Sequence, residues 1–306
     1  MRGLLDMPID IIEKILKKLE HGERATFRNV SKACRQTFDS INYTFETVEF
    51  SGYRNNVWLI IENCLVEYQR RNILRQKDKS IIKKWTVNVK LDEDPWSKAL
   101  EEFTRIFGNP KHLIQELHFN YKGQLSFITG SLKSLGHQLN VNSFELSRDF
   151  DGRYNARGEV QTQTMEILPF LKAGVLEDLS FECLPDLTDH PKMFFKKVIK
   201  TDQWKQAKRL YTNFCITNMK LSDLMHFRRL DVDYDSIKTK DAMYIRDNCK
   251  NLPGFEKYSF RSNVDSEKIL EKFGSEAIVL DDNSIQDGFL LISVTPGLIT
   301  FEKMNQ

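Results

Sequence analysis

Side chains that could do chemistry are present in this chain, but never at a spacing that chemistry requires. The six histidines are His21, His112, His118, His137, His190 and His226. None lies four residues from another or stands in a His-Glu-x-x-His arrangement, so no local zinc-ligand pattern exists. The five cysteines, Cys34, Cys64, Cys183, Cys215 and Cys249, are scattered, with no Cys-x-x-Cys pair. That excludes a zinc ribbon and argues against a disulfide framework. They read as small buried hydrophobes in a reducing compartment. No Gly-x-Ser-x-Gly elbow or phosphate-cradling glycine loop occurs. Asp281-Asp282 reads as a turn rather than as paired catalytic carboxylates. The expectation is a protein that is no enzyme and needs no metal or cofactor.

Charge offers a second kind of chemistry. One basic run is Arg70-Arg71, Arg75, Lys77, Lys79 and Lys83-Lys84; another is Lys196-Lys197, Lys200, Lys205 and Lys208-Arg209. They read first as solvated faces and second as docking points for an acidic or phosphorylated partner. Tyr53, Trp58, Tyr68, Trp85 and Trp96 near the first run could stack on RNA bases, but their spacing fits core positions better. The net charge of +2 gives no global argument for nucleic acid or an anionic membrane. No stretch is long and apolar enough to span a bilayer, and the N-terminus lacks the unbroken apolar core of a signal peptide. The expected setting is intracellular, cytoplasmic or nuclear.

Two kinds of element must position whatever these residues do. The first is N-terminal. Pro8 suits a first helical turn, with Asp6 before it as a cap and Asp10 and Glu13 near the positive dipole end. Pro8, Ile11, Ile12, Ile15, Leu16 and Leu19 fall at helical spacing as a broad apolar stripe. A second helix is expected after a turn at His21-Gly22, and a third from about Ser31. The second kind is a recurring four-residue phrase with alternate apolar residues. It occurs at Thr47–Phe50, Thr86–Val89, Glu116–Phe119, Ser143–Leu146, Asp178–Phe181, Arg209–Thr212, Arg229–Val232, Lys257–Phe260, Ala277–Leu280 and Leu298–Phe301.

Between phrases, helices are expected at Val57–Tyr68, Trp96–Phe107, Phe127–Leu139, Phe194–Ile199, Leu221–Phe227, Ala242–Cys249 and Ile269–Phe273. Strands alternating with helices imply parallel pairing through crossovers. The fold class is therefore α/β, read as a leucine-rich-repeat-like solenoid of parallel strands and helices after an N-terminal three-helix module. The alternative is an open Rossmann-like sheet, against which no glycine-rich turn follows any strand.

Residue order adds a resemblance. Met7-Pro8, Ile11-Ile12, Ile15-Leu16, Leu19, Arg24, Phe27-Arg28, Val30-Ser31-Lys32 and Phe38 resemble the F-box pattern. Met stands for the usual Leu before Pro8, and the third helix has Cys34 or its neighbours where Trp is common. Further on, Leu168-Pro169-Phe170-Leu171-Lys172-Ala173-Gly174-Val175-Leu176-Glu177 resembles a hallmark phrase of the FTH domain, with Ala173 in place of Pro. Asp202-Gln203-Trp204-Lys205-Gln206-Ala207-Lys208 resembles a second hallmark. In a very large nematode family that domain follows F-boxes. Gly174 suits a left-handed position before the next strand.

The resemblance implies a boundary, with the F-box at 1–44 and the FTH, leucine-rich-repeat-like domain at 45–306. It also implies a function, that of substrate receptor in a Skp–cullin–F-box ubiquitin ligase. A target, foreign or toxic in the family's pattern, would be held for ubiquitylation and degradation. A Skp-bound scaffold without ubiquitylation is the alternative. The adaptor-binding residues implied are Met7, Pro8, Ile11, Ile12, Ile15, Leu16, Leu19, Val30, Cys34 and Phe38. Strand residues flanking the inward apolars are the expected target contacts: Asn88, His118, Glu145, Ser180, Tyr211, Asp231, Asp233 and Ser259.

Overall fold

The N-terminal stripe does fold as a helix, and the reasons are local. The structure, a computed structural model, describes residues 7–53, 56–70, 85–91, 94–122, 126–148, 156–183, 192–193, 195–274, 278–281 and 283–304. Helix α1 (Ile9–Lys18) starts behind Pro8, whose carbonyl accepts from the Ile11 and Ile12 amides; Lys17 and Lys18 sit in its last turn. Helix α2 (His21–Val30) begins at once, with no separate turn, because the Glu20 amide is capped by the Glu23 carboxylate at 2.9 Å. Helix α3 (Lys32–Ser40) is capped by Ser31, whose hydroxyl accepts from the Cys34 amide at 3.1 Å. Arg28 grips Asp39 through two bonds of 2.8 and 3.0 Å, pinning α2 to α3. The expected cap Asp6 lies outside the described residues.

The chain divides into two compact units, 1–147 with 166–175, and 148–165 with 176–306. The boundary expected at residue 44 thus runs inside the first unit. There α3 leads into β1 (Thr44–Tyr53), followed by β2 (Asn56–Ile61), β3 (Cys64–Arg70), β4 (Trp85–Leu91), α4 (Pro95–Ile106), β5 (Leu113–Lys122), α5 (Ser126–Ser134) and β6 (Asn140–Arg148), after which helix α6 (Ala156–Ile167) spans the division. The strand order is β4-β3-β2-β1-β5-β6. Strands β1, β5 and β6 are parallel neighbours, as the crossover reading requires. The helix expected at Val57–Tyr68 is instead the antiparallel hairpin β2–β3. Its Val- and Ile-rich first half suits a pleated surface, and Glu62, at φ 54, and Asn63 turn the chain back. The hairpin displaces β4 to the far side of β3, out of sequence order.

The second unit holds β7 (Asp178–Cys183), the short β8 (Lys192–Met193), α7 (Asp202–Gln206), β9 (Arg209–Ile216), β10 (Arg229–Ile237), α8 (Thr239–Asn251), β11 (Lys257–Val264), α9 (Ser266–Gly274), β12 (Ile278–Asp281), β13 (Ser284–Asp287), β14 (Leu290–Thr295) and β15 (Leu298–Lys303). Strands β7, β9, β10 and β11 are parallel and in order. The last four return as an antiparallel meander in the order β11-β15-β14-β13-β12. Here the parallel expectation is corrected, and the cause is loop length. Pro296-Gly297, with Gly297 at φ 82, joins β14 to β15 in two residues, far too short for a parallel crossover. Helices expected at Phe194–Ile199 and Leu221–Phe227 shrink to single 3-10 turns, Val198–Lys200 and Leu221–Asp223.

The inward alternation holds in both units. Val48, Leu117 and Phe144 in the first, and Leu179, Leu210, Leu230 and Tyr258 in the second, are buried. Val87 has no described side chain. The two hallmark phrases supply core and turns. Leu168, Leu171 and Leu176 are buried, and Gly174 takes φ 81. Trp204 is buried on Phe195 and Phe227 and donates its indole N–H to the Asp223 carbonyl at 3.2 Å.

The helices of the N-terminal module pack onto the start of the first sheet. Phe38 stacks on Tyr43 at 4.9 Å, and buried His21 meets Phe45 edge-on at 6.0 Å. Burial pushes the His21 imidazolium down to about 4, and Arg24 and Arg105 add repulsion. In the unfolded chain His21 titrates near 6.5. Between pH 6.5 and 4 the unfolded chain therefore takes up a proton that the folded chain refuses, and stability falls on acidification. From pH 7.5 to 4.5 this amounts to about 2–3 kcal/mol. Denaturant unfolding at the two pH values should show the wild type losing that much more than His21→Phe; equal losses would contradict the assignment.

Candidate protein-interaction surfaces

Helix α1 carries apolar residues on two sides, and the fold uses one of them. Ile12 and Leu16, one turn apart, are buried, as are Cys34 and Phe38. These four expected adaptor contacts belong to the chain's own core and are not available to a partner. Ile15 and Leu19 are half-buried and Pro8 is exposed. Met7, Ile11 and Val30 are exposed, Val30 by 70%. Exposed Met7 precedes the helix, and Ile11 and half-buried Ile15 follow one turn apart within it, a ridge on the outer side of α1. Ile9 is also exposed, by 55%, and was not among the expected contacts. Only its place beside Pro8, off the inward stripe, could have signalled it. Exposed aliphatics at this density on so short a helix mark a contact surface.

The second surface is the polar side of the sheet in the second unit. Register brings Ser180, Tyr211, Asp231 and Ser259 into one row across β7, β9, β10 and β11, and continues it through Thr300 and Ser293. Four of the expected target contacts are thus neighbours, none buried. Flanking charges are paired: Arg209 lies 3.1 Å from Asp178, Lys257 2.8 Å from Glu302, and Lys208 bonds Glu177. Asp231 and Asp233 are not free acids, because Arg261 on β11 bonds both and donates to the Thr212 carbonyl at 2.8 Å. In the second basic run, Lys208 and Arg209 are likewise engaged and Lys205 lies 4.0 Å from Asp202, while Lys196, Lys197 and Lys200 are exposed. In the first run, residues 71–84 lie outside the described residues.

The remaining expected contacts are in the first unit. His118 on β5 stands between Glu49 of β1 and Glu145 of β6 in the register. Its Nδ1 is 3.5 Å from the Glu145 carboxylate and its Nε2 3.4 Å from Glu116. Ser147 donates to the other Glu145 oxygen at 3.1 Å, so its hydroxyl faces a carboxylate and not the imidazole base a nucleophile needs. The arrangement is an ion-pair network on a sheet face. Asn88 lies on β4, and its side chain is outside the described residues. No group of three or more metal-ligating side chains forms among the described residues, and no described helix is long and apolar enough to cross a membrane.

These surfaces sit in recognisable modules. Residues 4–46 match the F-box domain. Residues 125–276 match the FTH domain. F-box domains bind Skp-type adaptors and are typically non-catalytic, and the outer ridge of α1 lies within the matched segment. The FTH match includes β7, β9, β10 and β11, the strands of the polar row, and fits a partner-binding role. No curated protein matches the chain.

The Glu145 contact is foremost in holding the His118 imidazolium above its ordinary range, against the opposing effect of burial, and Glu116 adds to it. The same contact holds the Glu145 carboxyl below its ordinary range. The pairing therefore stabilises the fold fully below the ordinary histidine pKa and is lost as pH rises through the raised value. In an NMR titration His118 should deprotonate later than an exposed histidine. Glu145→Gln should bring that midpoint down by more than Glu116→Gln does; an unchanged midpoint in Glu145→Gln would remove the network.

Proposed function

We propose that this chain is the substrate receptor of a Skp–cullin–F-box ubiquitin ligase. The observation that carries the reading is the exposed ridge of Met7, Ile9 and Ile11 with Pro8, inside an F-box whose inner face is already satisfied. A Skp-type adaptor would cover that ridge, and a cullin would follow through the adaptor. The FTH domain would hold the target protein, its parallel strands serving as the leucine-rich-repeat-like part of the fold. The chain would make and break no bonds. It would raise the effective concentration of the target at the ubiquitin-loaded enzyme, which is catalysis by proximity. The setting we infer is the cytoplasm or nucleus of a nematode, with degradation of a foreign or toxic protein as the outcome. A Skp-bound scaffold that recruits without ubiquitylation is the second reading.

The structure decides which substitutions test this. Aspartate at Leu16 would place a charge in the core and unfold the module. Aspartate at Ile9 and Ile11 changes only exposed positions. Each isoleucine buried by an adaptor is worth about 1.5–3 kcal/mol, so the double variant should weaken Skp co-purification by at least about 100-fold. Its unfolding midpoint should stay near that of the wild type. A folded double variant that binds the adaptor undiminished would overturn the receptor reading. Accumulation of a captured target on proteasome inhibition separates the ligase from the scaffold.

A further inference from the structure

A cavity of about 510 Å³ beyond the carboxyl ends of β9 and β10 is lined by both signs of charge and so favours no one ligand. The other end of the same strands is different. There the register sets Asp178, Arg209, Arg229, Lys257 and Glu302 side by side across β7, β9, β10, β11 and β15. They form a second row on the outer face, two residues before the polar row of Ser180, Tyr211, Asp231 and Ser259. Three cations are thus adjacent, and neighbouring like charges on one sheet face repel.

The two outer cations are answered. Arg209 lies 3.1 Å from Asp178 and 3.8 Å from Glu256, and Lys257 lies 2.8 Å from Glu302. The central one is not: the Arg229 side chain is exposed and makes no ion pair or hydrogen bond among the described residues. The nearest acid on its own strand, Asp231, is bonded to Arg261. A lone exposed arginine is ordinary. One held between two further cations by fixed register, on a face whose neighbouring charges are all paired, is not.

The surroundings narrow what Arg229 suits. A guanidinium presents parallel N–H groups that match a carboxylate with two bonds. Tyr211 and Ser259 lie diagonally beside it, two residues further along β9 and β11. Their hydroxyls hydrogen-bond to no described residue and can donate to the lone pairs that the guanidinium leaves. One unpaired positive charge fits one negative charge. A phosphoryl group, with nearly two, would also face Asp231.

We propose that Arg229 is the acid-reading centre of the target site, taking the carboxylate of an Asp or Glu on the target in a bidentate pair flanked by Tyr211 and Ser259. The proposal rests on the reading of the FTH domain as target-binding and assigns the chemistry to one point on its sheet.

The test uses the full chain and a displayed library of random twelve-residue peptides, depleted first on Arg229→Glu to remove clones that bind elsewhere. The clones kept by the wild type should share an Asp or Glu. In fluorescence anisotropy the consensus peptide should lose at least tenfold in affinity for Arg229→Gln. Replacing its acid by the amide should cost the wild type the same factor and Arg229→Gln less than twofold, the mark of one shared contact. Lysine in place of the acid should restore binding to Arg229→Glu, and phosphoserine there should bind no better than the acid. Lys196→Gln with Lys197→Gln, in the exposed basic run, should change affinity less than twofold. Arg229 is exposed, so its variants should keep the wild-type unfolding midpoint. The proposal falls if no peptide is kept, if the shared residue is not an acid, or if the two losses simply add. It falls equally if phosphoserine binds tenfold tighter than the acid, or if the paired lysine variant loses as much as Arg229→Gln, which would mean diffuse attraction. None of these outcomes touches the receptor reading, which adaptor co-purification decides separately.

Discussion

One buried arginine holds the N-terminal module in place. Arg24 is only 7% exposed. Its Nε donates to the Leu16 carbonyl at 3.1 Å, which the Leu19 amide also reaches, and a terminal nitrogen reaches the Lys17 carbonyl at 3.4 Å, both at the end of α1. Its guanidinium lies 5.2 Å from the centre of the Tyr43 ring and 3.6 Å from the Glu62 carboxylate in the β2–β3 turn. A desolvated guanidinium is tolerable only with this many partners, and removing it would strand them. Glu62 shows the balance: burial pushes its carboxyl up and Arg24 pulls it back. Through this side chain, α1, α2, β1 and the hairpin become one body. The F-box is built into the first sheet; it does not hang from it on a linker.

That arrangement explains what the sequence could and could not reveal. The apolar stripe of α1 announced a helix, but not which half of the stripe the chain would keep. The choice depends on Tyr43, Phe45 and Arg24, which come later and meet α1 only after folding. The hairpin β2–β3 was hidden for a different reason. Trp58, Ile61, Leu65 and Tyr68 are spaced three, four and three apart, which satisfies a helix as well as the strands satisfy period two. The short loop Glu62-Asn63 was the deciding signal. In the C-terminal meander, Pro296-Gly297 was a legible turn, and it alone implied antiparallel pairing.

The polar row was legible because alternation has one solution once one face is buried. With Leu179, Leu210, Leu230 and Tyr258 inside, Ser180, Tyr211, Asp231 and Ser259 must face out, and a one-residue slip would bury them all. Charge was not legible. Asp231 and Asp233 look like free acids in the chain until β11 brings Arg261 opposite them, about thirty residues later in sequence. The same holds for Lys208 and Arg209, answered by Glu177 and Asp178 across a neighbouring strand. Cross-strand pairing of this kind fixes register and leaves the face nearly neutral. A neutral face adds little long-range steering, so selectivity there would come from shape and hydrogen bonding.

The pocket beyond β9 and β10 was invisible for a third reason. Its walls come from a strand end, a loop, a single 3-10 turn and the start of a helix, none with a pattern of its own. Its lining mixes both signs of charge, with Asp235 and Asp241 beside Lys238 and Lys240 and with Thr217, Asn218, Ser222 and Ser236 between them. The outer side of α1 is the opposite case. Ile9 and Ile11 leave apolar surface in solvent there, and exposed aliphatics at that density on a short helix are a surface whose physical chemistry a partner completes.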